Sequence, residues 1–247
     1  MKNFLSILRN DFKNFRKYNI LQIVLMFSIL FAAIMAFFTQ INPLLLIYVT
    51  VFILPVVTFA ISMFIEAEER SILPLAMCEC HSFEIILSKI VSSLVLLLIP
   101  YVLYTLVMVF VLHMNYNIIL FLLIYILSAV MHIVIGLVLA IISKSSSVMS
   151  VSYVGYIVIF SLMPIFYSQN LIPDFFQYVL VVSPAYLSGV LFEQVIYGYI
   201  FSPNWLLITA VLLQIAYITL LLVFIARPYF KTYLLFTIQQ EGVKTEK

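Results

Sequence analysis

The chain has 247 residues, 66% of them hydrophobic and only 9% charged, with a net charge of +2. A soluble domain carries about 25% charged residues and needs a polar skin to stay in water. The composition therefore excludes an ordinary soluble enzyme or binding module, gives no basis for a nucleic-acid partner, and points to a chain solvated by lipid.

The first element is the N-terminal stretch. Wound at about 100° per residue, Phe4, Leu5, Ile7, Leu8, Phe12 and Phe15 share one face. Lys2, Arg9, Asn10, Lys13, Asn14, Arg16 and Lys17 share the other, and Asp11 alone breaks the pattern. This predicts an amphipathic helix over residues 1–18, lying in the membrane interface with its basic face toward anionic headgroups. A basic topogenic tail is the simpler alternative. The start also looks like a signal peptide, but the following apolar run is too long and lacks a small-residue cleavage site, so it is read as retained.

Six apolar runs then reach the ~20 residues that a membrane span needs: residues 19–38, 43–65, 90–112, 118–142, 148–167 and 204–226. None shows the alternation of barrel strands, and backbone in lipid must otherwise close its hydrogen bonds within a helix. The expected fold is all-α and integral to the membrane. It comprises six transmembrane helices, the N-terminal interfacial helix, and short re-entrant helices before the last span, in a single transmembrane domain over residues 1–247.

Between spans two and three lies EAEERSILPLAMCECHSFEIILSK, residues 66–89. It holds five of the ten acidic residues (Glu66, Glu68, Glu69, Glu79 and Glu84) around an apolar middle from Ile72 to Met77. An apolar patch bordered by acids suggests docking to another protein; a short interfacial helix without a partner is the alternative. Cys78 and Cys80, the only cysteines, fall here and form no disulfide framework. Four adjacent residues such as Cys78-Glu79-Cys80-His81 do not close a tetrahedral metal site.

Residues 168–203 carry two charges, Asp174 and Glu193, and many aromatics, Phe175, Phe176, Tyr178 and Tyr186 among them. The stretch is too apolar for a solvated loop and is interrupted by Pro173, Ser183-Pro184 and Gly189. It reads as a pair of short helices dipping into the outer leaflet.

The 12 Lys and Arg residues precede the first span, follow the last, or lie in the second and fourth connections (Arg70, Lys89 and Lys144). With six spans these all fall on one side, so both termini are expected in the cytoplasm, at the plasma membrane. No charged residue lies within the spans as drawn. His132 is the single embedded histidine and His113 lies near an outer end; a lone embedded histidine reads as a hydrogen-bonding residue rather than a proton relay. No phosphate-binding G-x-x-x-x-G-K-[ST] loop occurs. An intramembrane peptidase built on Glu68-Glu69 and His113 is opposed by topology, which sets them on opposite faces about 30 Å apart.

Taken together, the 66–89 segment and the outer segment resemble the type-2 permease family of ABC exporters. In that family the segment after span two reads approximately E-x-E-x-G-T-L-x-x-L-L-x-x-P-x-S-x-x-E-I-L-x-G-K. Here Glu69 and its neighbours correspond to the leading acids, Ser71-Ile72 to Thr-Leu, Leu75 to the apolar run, and Glu84-Ile85-Ile86-Leu87-Ser88-Lys89 to the close. Arg70, Glu79 and His81 depart from the usual Gly, Pro and Ser. Leu171 to Tyr178 followed by Ser183-Pro184-Ala185-Tyr186 is similar to the family's pattern before the last span.

The resemblance implies a permease that is not itself an enzyme and binds no cofactor. It pairs with a second copy or paralogue and with a separate ABC ATPase subunit that binds ATP and Mg. It assigns ATPase coupling to Glu66, Glu68, Glu69, Arg70, Leu75, Met77 and Glu84, and an outer gate to Pro173, Phe175, Phe176, Tyr178, Pro184 and Tyr186. Phe52, Phe59, Tyr153, Tyr156 and Phe160 are candidates to line a path for hydrophobic or amphipathic cargo, such as a drug, a membrane-active peptide or a lipid-linked molecule. Pro55, Pro100 and Pro164 place potential kinks in three spans. The competing expectation is a membrane anchor or regulatory subunit that recruits a cytoplasmic protein and transports nothing.

Overall fold

The computed structural model describes residues 2–38, 40–68, 82–143, 145–168, 171–198 and 204–230. Regular structure among these residues is entirely helical, and six helices are long and apolar enough to cross a membrane. Helix α1 (Lys2–Lys17) is followed by α2 (Ile20–Phe37), α3 (Pro43–Glu68), and α4 (Ser82–Leu106), which a wider π turn extends through Val107–Val111. Then come α5 (Ile118–Ile142) and α6 (Ser146–Ile157), which runs through a π turn at Val158–Leu162 into Met163–Ser168. A 3-10 turn at Asp174–Phe176 leads into the single turn of α7 (Gln177–Leu180) and then α8 (Pro184–Tyr197). The last span is α9 (Asn204–Leu220), extended by a π turn at Leu221–Ala226.

Local chemistry sets the breaks. Asn19 takes a left-handed φ of 58° between α1 and α2, a conformation that asparagine tolerates better than most residues. Asn117, Ser145 and Ser183 cap α5, α6 and α8 by accepting from the backbone N–H of Leu120, Val148 and Tyr186. Pro184 occupies the first turn of α8, where its missing N–H leaves no bond unmade.

Helices α3 and α5 form the centre of the bundle. A Cβ added at Gly136 of α5 would stand 3.0 Å from the Val56 backbone of α3. Lipid supplies no hydrophobic drive between helices, so such small-residue crossings, where backbones approach closely, carry the packing. Around them α2, α6 and α9 present exposed apolar faces, including Met26, Ile29, Val151, Ile159, Leu212 and Phe224.

One boundary differs from the sequence reading. The third span begins at Ser82 rather than at residue 90, so Lys89 lies inside α4 and Glu66 inside α3. The expectation of charge-free spans is thereby corrected. Hydropathy ended the span at Lys89 because it prices a lysine alone, whereas this lysine is neutralised by distant residues described below.

The Gly136 crossing makes a prediction. Gly136→Val should destabilise the bundle by about 1–3 kcal/mol through overpacking, read as a lower melting temperature in detergent. Gly155→Ala, where the added Cβ meets nothing within 4 Å, should leave stability unchanged or raise it by about 0.5–1 kcal/mol.

Candidate functional site

Two polar clusters interrupt the apolar interior. The first joins α1, α3 and α4 at the end of the bundle where α1 lies. Lys89 Nζ stands 2.6 Å from Glu66 Oε2 and 3.2 Å from Asp11 Oδ1. Asn14 Nδ2 donates to Glu66 Oε1 at 3.0 Å, and the hydroxyls of Ser88 and Ser92 donate to Asp11 Oδ2 at 3.2 and 3.4 Å. Asp11, Glu66 and Lys89 are at most 3% exposed, so this is a solvent-excluded ion triad and not a surface bridge. Burial pushes the Asp11 carboxyl above its ordinary range, against the pull of the Lys89 ammonium.

The triad explains the irregularity in α1. Its bundle-facing stripe is Ile7, Asp11, Asn14 and Phe15, all buried, while Leu5 and Phe12 are exposed on a second face and Arg9, Lys13 and Arg16 on a third. Asp11 does not spoil an amphipathic helix; with Asn14 it is the polar half of the inward face.

The second cluster lies midway along the bundle. His132 of α5 is fully buried, with Nδ1 3.1 Å from the Tyr156 hydroxyl of α6 and Nε2 3.3 Å from Ser188 Oγ of α8. Gln214 Nε2 of α9 donates to Ser188 Oγ at 3.1 Å and to Ser128 Oγ at 3.4 Å. Aromatic rings wrap this core: Phe52 meets His132 edge-on at 5.3 Å and stacks on Tyr156 at 5.0 Å, and Tyr156 packs on Phe160 at 5.3 Å.

Helices α7 and α8 form a hairpin that turns back inside the bundle. The Tyr217 hydroxyl, midway along the last span, donates to Val182 O at 2.8 Å at the hairpin's tip. At the other end of α8, Tyr197 reaches Asn42 in the α2–α3 connection at 2.8 Å. Irregular backbone at such depth persists only where its polar groups find partners in protein. Pro164 has no N–H to offer the Phe160 carbonyl one turn earlier, and Ser183 Oγ donates to that carbonyl at 2.7 Å. A serine in the hairpin thus fills the carbonyl that a proline in the span leaves without its usual donor.

Of the residues expected at an ATPase contact, Glu69, Arg70, Leu75 and Met77 lie outside the described residues, and Glu68 ends α3. Glu84 is half-buried in the first turn of α4, and Glu66 faces inward in the triad. Phe52, Tyr153, Tyr156 and Phe160 come together in one cluster, whereas Phe59 packs in the separate main core. Among the expected gate residues, Pro173, Phe175, Phe176 and Tyr178 are exposed, while Pro184 and Tyr186 are buried in α8. Tyr178 stacks on Trp205 with ring centroids 6.2 Å apart. Sequence reasoning missed Asp11, Asn14, Lys89, Ser188 and Gln214 as interacting groups. The one signal was Asp11's misfit on α1, matched by Ser88, Lys89, Ser92 and Ser93 clustered at the start of α4. Among the described residues no group of three or more His, Cys, Asp or Glu side chains could hold a metal ion.

Breaking the triad is asymmetric. Lys89→Met strands two buried carboxylates and should cost about 3–5 kcal/mol, measured by thermal unfolding in detergent. Asp11→Asn keeps the Lys89–Glu66 pair and removes a carboxylate raised by burial, so it should cost well under half of that.

Comparison with curated proteins finds no match. Residues 1–197, from α1 through the end of α8, match the family model described as ABC-2 type transporter. The chain therefore belongs to the ABC-2 type transporter family, as a multi-pass transmembrane permease whose 247 residues hold no ATPase domain.

Proposed function

We propose that the chain is the membrane-embedded subunit of an ATP-driven exporter, with residues 1–247 forming one permease domain that pairs with a second copy or a paralogue. ABC-2 permeases generally work with ABC ATPase subunits, and here that separate subunit would bind the ATP and Mg. On this reading both termini and the 66–89 segment face the cytoplasm of a plasma-membrane protein, a placement supported by the confinement of Lys and Arg to one side. Helix α1 then lies along the inner interface, with Leu5 and Phe12 toward acyl chains and Arg9, Lys13 and Arg16 toward anionic headgroups.

The observation that carries the reading is the Asp11–Glu66–Lys89 triad. The two helices that enter and leave the 66–89 segment are joined to each other and to α1 by ion pairs shielded from water. A push on that segment, through Glu69, Arg70, Leu75 and Met77, is delivered to three helices as one body rather than dissipated in a loop. Helix α3, the central helix, carries the displacement toward the aromatic cluster of Phe52, Tyr153, Tyr156 and Phe160. An uncharged, aromatic interior suits hydrophobic or amphipathic cargo and offers nothing to replace the hydration of free ions.

The test is transport by the permease–ATPase complex in proteoliposomes. Glu69→Lys should reduce ATP-dependent movement of a hydrophobic dye at least tenfold, with membrane insertion of the permease unchanged. Undiminished transport in that variant contradicts the coupling role. A complex that binds the ATPase but moves no cargo of any chemistry favours the anchor function instead.

A further inference from the structure

Helix α8 ends in a patch of hydrogen-bond acceptors without a cation. Glu193 lies one turn before its end and is partly buried. Among the described residues no hydrogen bond or ion pair reaches its carboxylate. The neighbouring Gln194 has its side-chain Oε1 buried without a hydrogen-bond partner. Tyr197, one turn on, gives its hydroxyl hydrogen to Asn42. The C-terminal end of a helix dipole is itself negative, so the local field favours a positive charge.

No Lys or Arg of the chain supplies that charge. Tyr197 ties the end of α8 to the α2–α3 connection, and α3 runs from there back to the triad, so the patch lies at the end of the bundle away from Lys89. Every Lys and Arg belongs to α1, to the 66–89 segment, to the α5–α6 connection, or to the end of α9 and the residues after it. The alternation of six spans sets all of these at the triad end. His113, at the far end, is exposed and makes no ion pair with Glu193 among the described residues. A second copy in the same orientation repeats the same end without Lys or Arg.

The surroundings select the form of the cation. One carboxylate and one amide oxygen are too few ligands for a calcium or magnesium ion. Glu193 shares a face of α8 with Tyr186, Val190 and Tyr197, and its carboxylate lies within electrostatic reach of both tyrosines. Tyr186 meets Tyr167 edge-on with ring centroids 6.0 Å apart, and packs with Leu180, Val190 and Leu206 in an apolar cluster. A carboxylate beside tyrosine rings suits an organic ammonium, and the apolar cluster suits the hydrocarbon attached to it. We propose that Glu193, with Gln194, Tyr186 and Tyr197, forms a binding site for an alkylammonium group carried on an apolar body. That this site meets cargo at the outer face rests on the exporter reading above; the binding itself does not.

The experiment uses the full chain in phosphatidylglycerol nanodiscs. Trp205, the single tryptophan, adjoins Leu206 of the apolar cluster and serves as the energy-transfer donor. The probes are a dansyl group on a pentylammonium chain and the same dansyl group on an uncharged pentyl chain, and the saturable part of the signal is read. Loss of a charge-assisted bond should weaken the cationic probe about tenfold in Glu193→Gln, with the uncharged probe unchanged and Glu193→Asp close to the parent. Glu193→Gln should melt no lower than the parent, because it removes a charge that nothing in the chain neutralises. Adding phosphatidylethanolamine separates two sources of the amine: weaker probe binding in the parent alone identifies the lipid headgroup as an occupant, and unchanged binding identifies the free amphiphile.

Undiminished binding of the cationic probe to Glu193→Gln, an equal loss of both probes, or a Glu193→Gln chain that melts lower or fails to fold would overturn the proposal, the last by showing that the carboxylate is structural. No ATPase is present in the assay. Charge-dependent binding with no transport by any reconstituted complex would therefore sink the exporter reading and leave the site standing. Binding indifferent to charge, alongside ATP-driven dye transport, would do the reverse.

Discussion

An ammonium group withdrawn from water is intolerable without partners, and Lys89 has two carboxylates for one charge. That constraint organises the α1 end of the molecule. Glu66 must stay at the end of α3, Asp11 must face inward from α1, and Asn14, Ser88 and Ser92 must point their donors at the carboxylates. A buried ion pair is a weak source of net stability, since desolvation consumes most of the Coulombic gain, but removing one partner is severely penalised. The triad is better understood as a device for specificity. It fixes how three helices from separate parts of the chain meet, and it tolerates few alternatives.

The middle of the bundle follows the same logic with neutral groups. A helical hairpin that stops halfway through a membrane protein exposes backbone carbonyls and N–H groups to a medium that cannot hydrogen-bond them. Tyr217, Ser183 and the Phe160 carbonyl freed by Pro164 resolve that problem at the tip, and Ser188 secures the rising helix. Proline here is not a hinge by default. Its first consequence is an acceptor that another segment fills, which ties α6 to the hairpin.

The spans were legible in the sequence because lipid demands long apolar runs, and five of the six runs lie within a few residues of the observed helices. The third span was misjudged at its start because its first turns contain Glu84, Ser88 and Lys89, and a window of hydropathy cannot know that Asp11 waits 78 positions away. The hairpin was legible as two broken helices from Pro173, which precedes the 3-10 turn, and Ser183-Pro184, which starts α8, whereas Gly189 lies inside α8 without breaking it. Its depth was not legible, because depth is decided by partners on other spans. The grouping of Phe52 with Tyr156 and Phe160, and the exclusion of Phe59, likewise depend on helix rotation, which a uniformly apolar span does not encode.

Together the two clusters divide the permease into a charged clamp near one membrane face and a polar seat at mid-depth, joined by α3. The central claim is that the clamp moves as one body. Spin labels on Asn10 of α1 and Phe83 of α4, both exposed, test it in the permease–ATPase complex by pulsed dipolar spectroscopy. A rigid clamp predicts an Asn10–Phe83 distance that is the same with and without nucleotide, while the distance from Phe83 to Ile142 at the end of α5 changes. A nucleotide-dependent Asn10–Phe83 distance would contradict it.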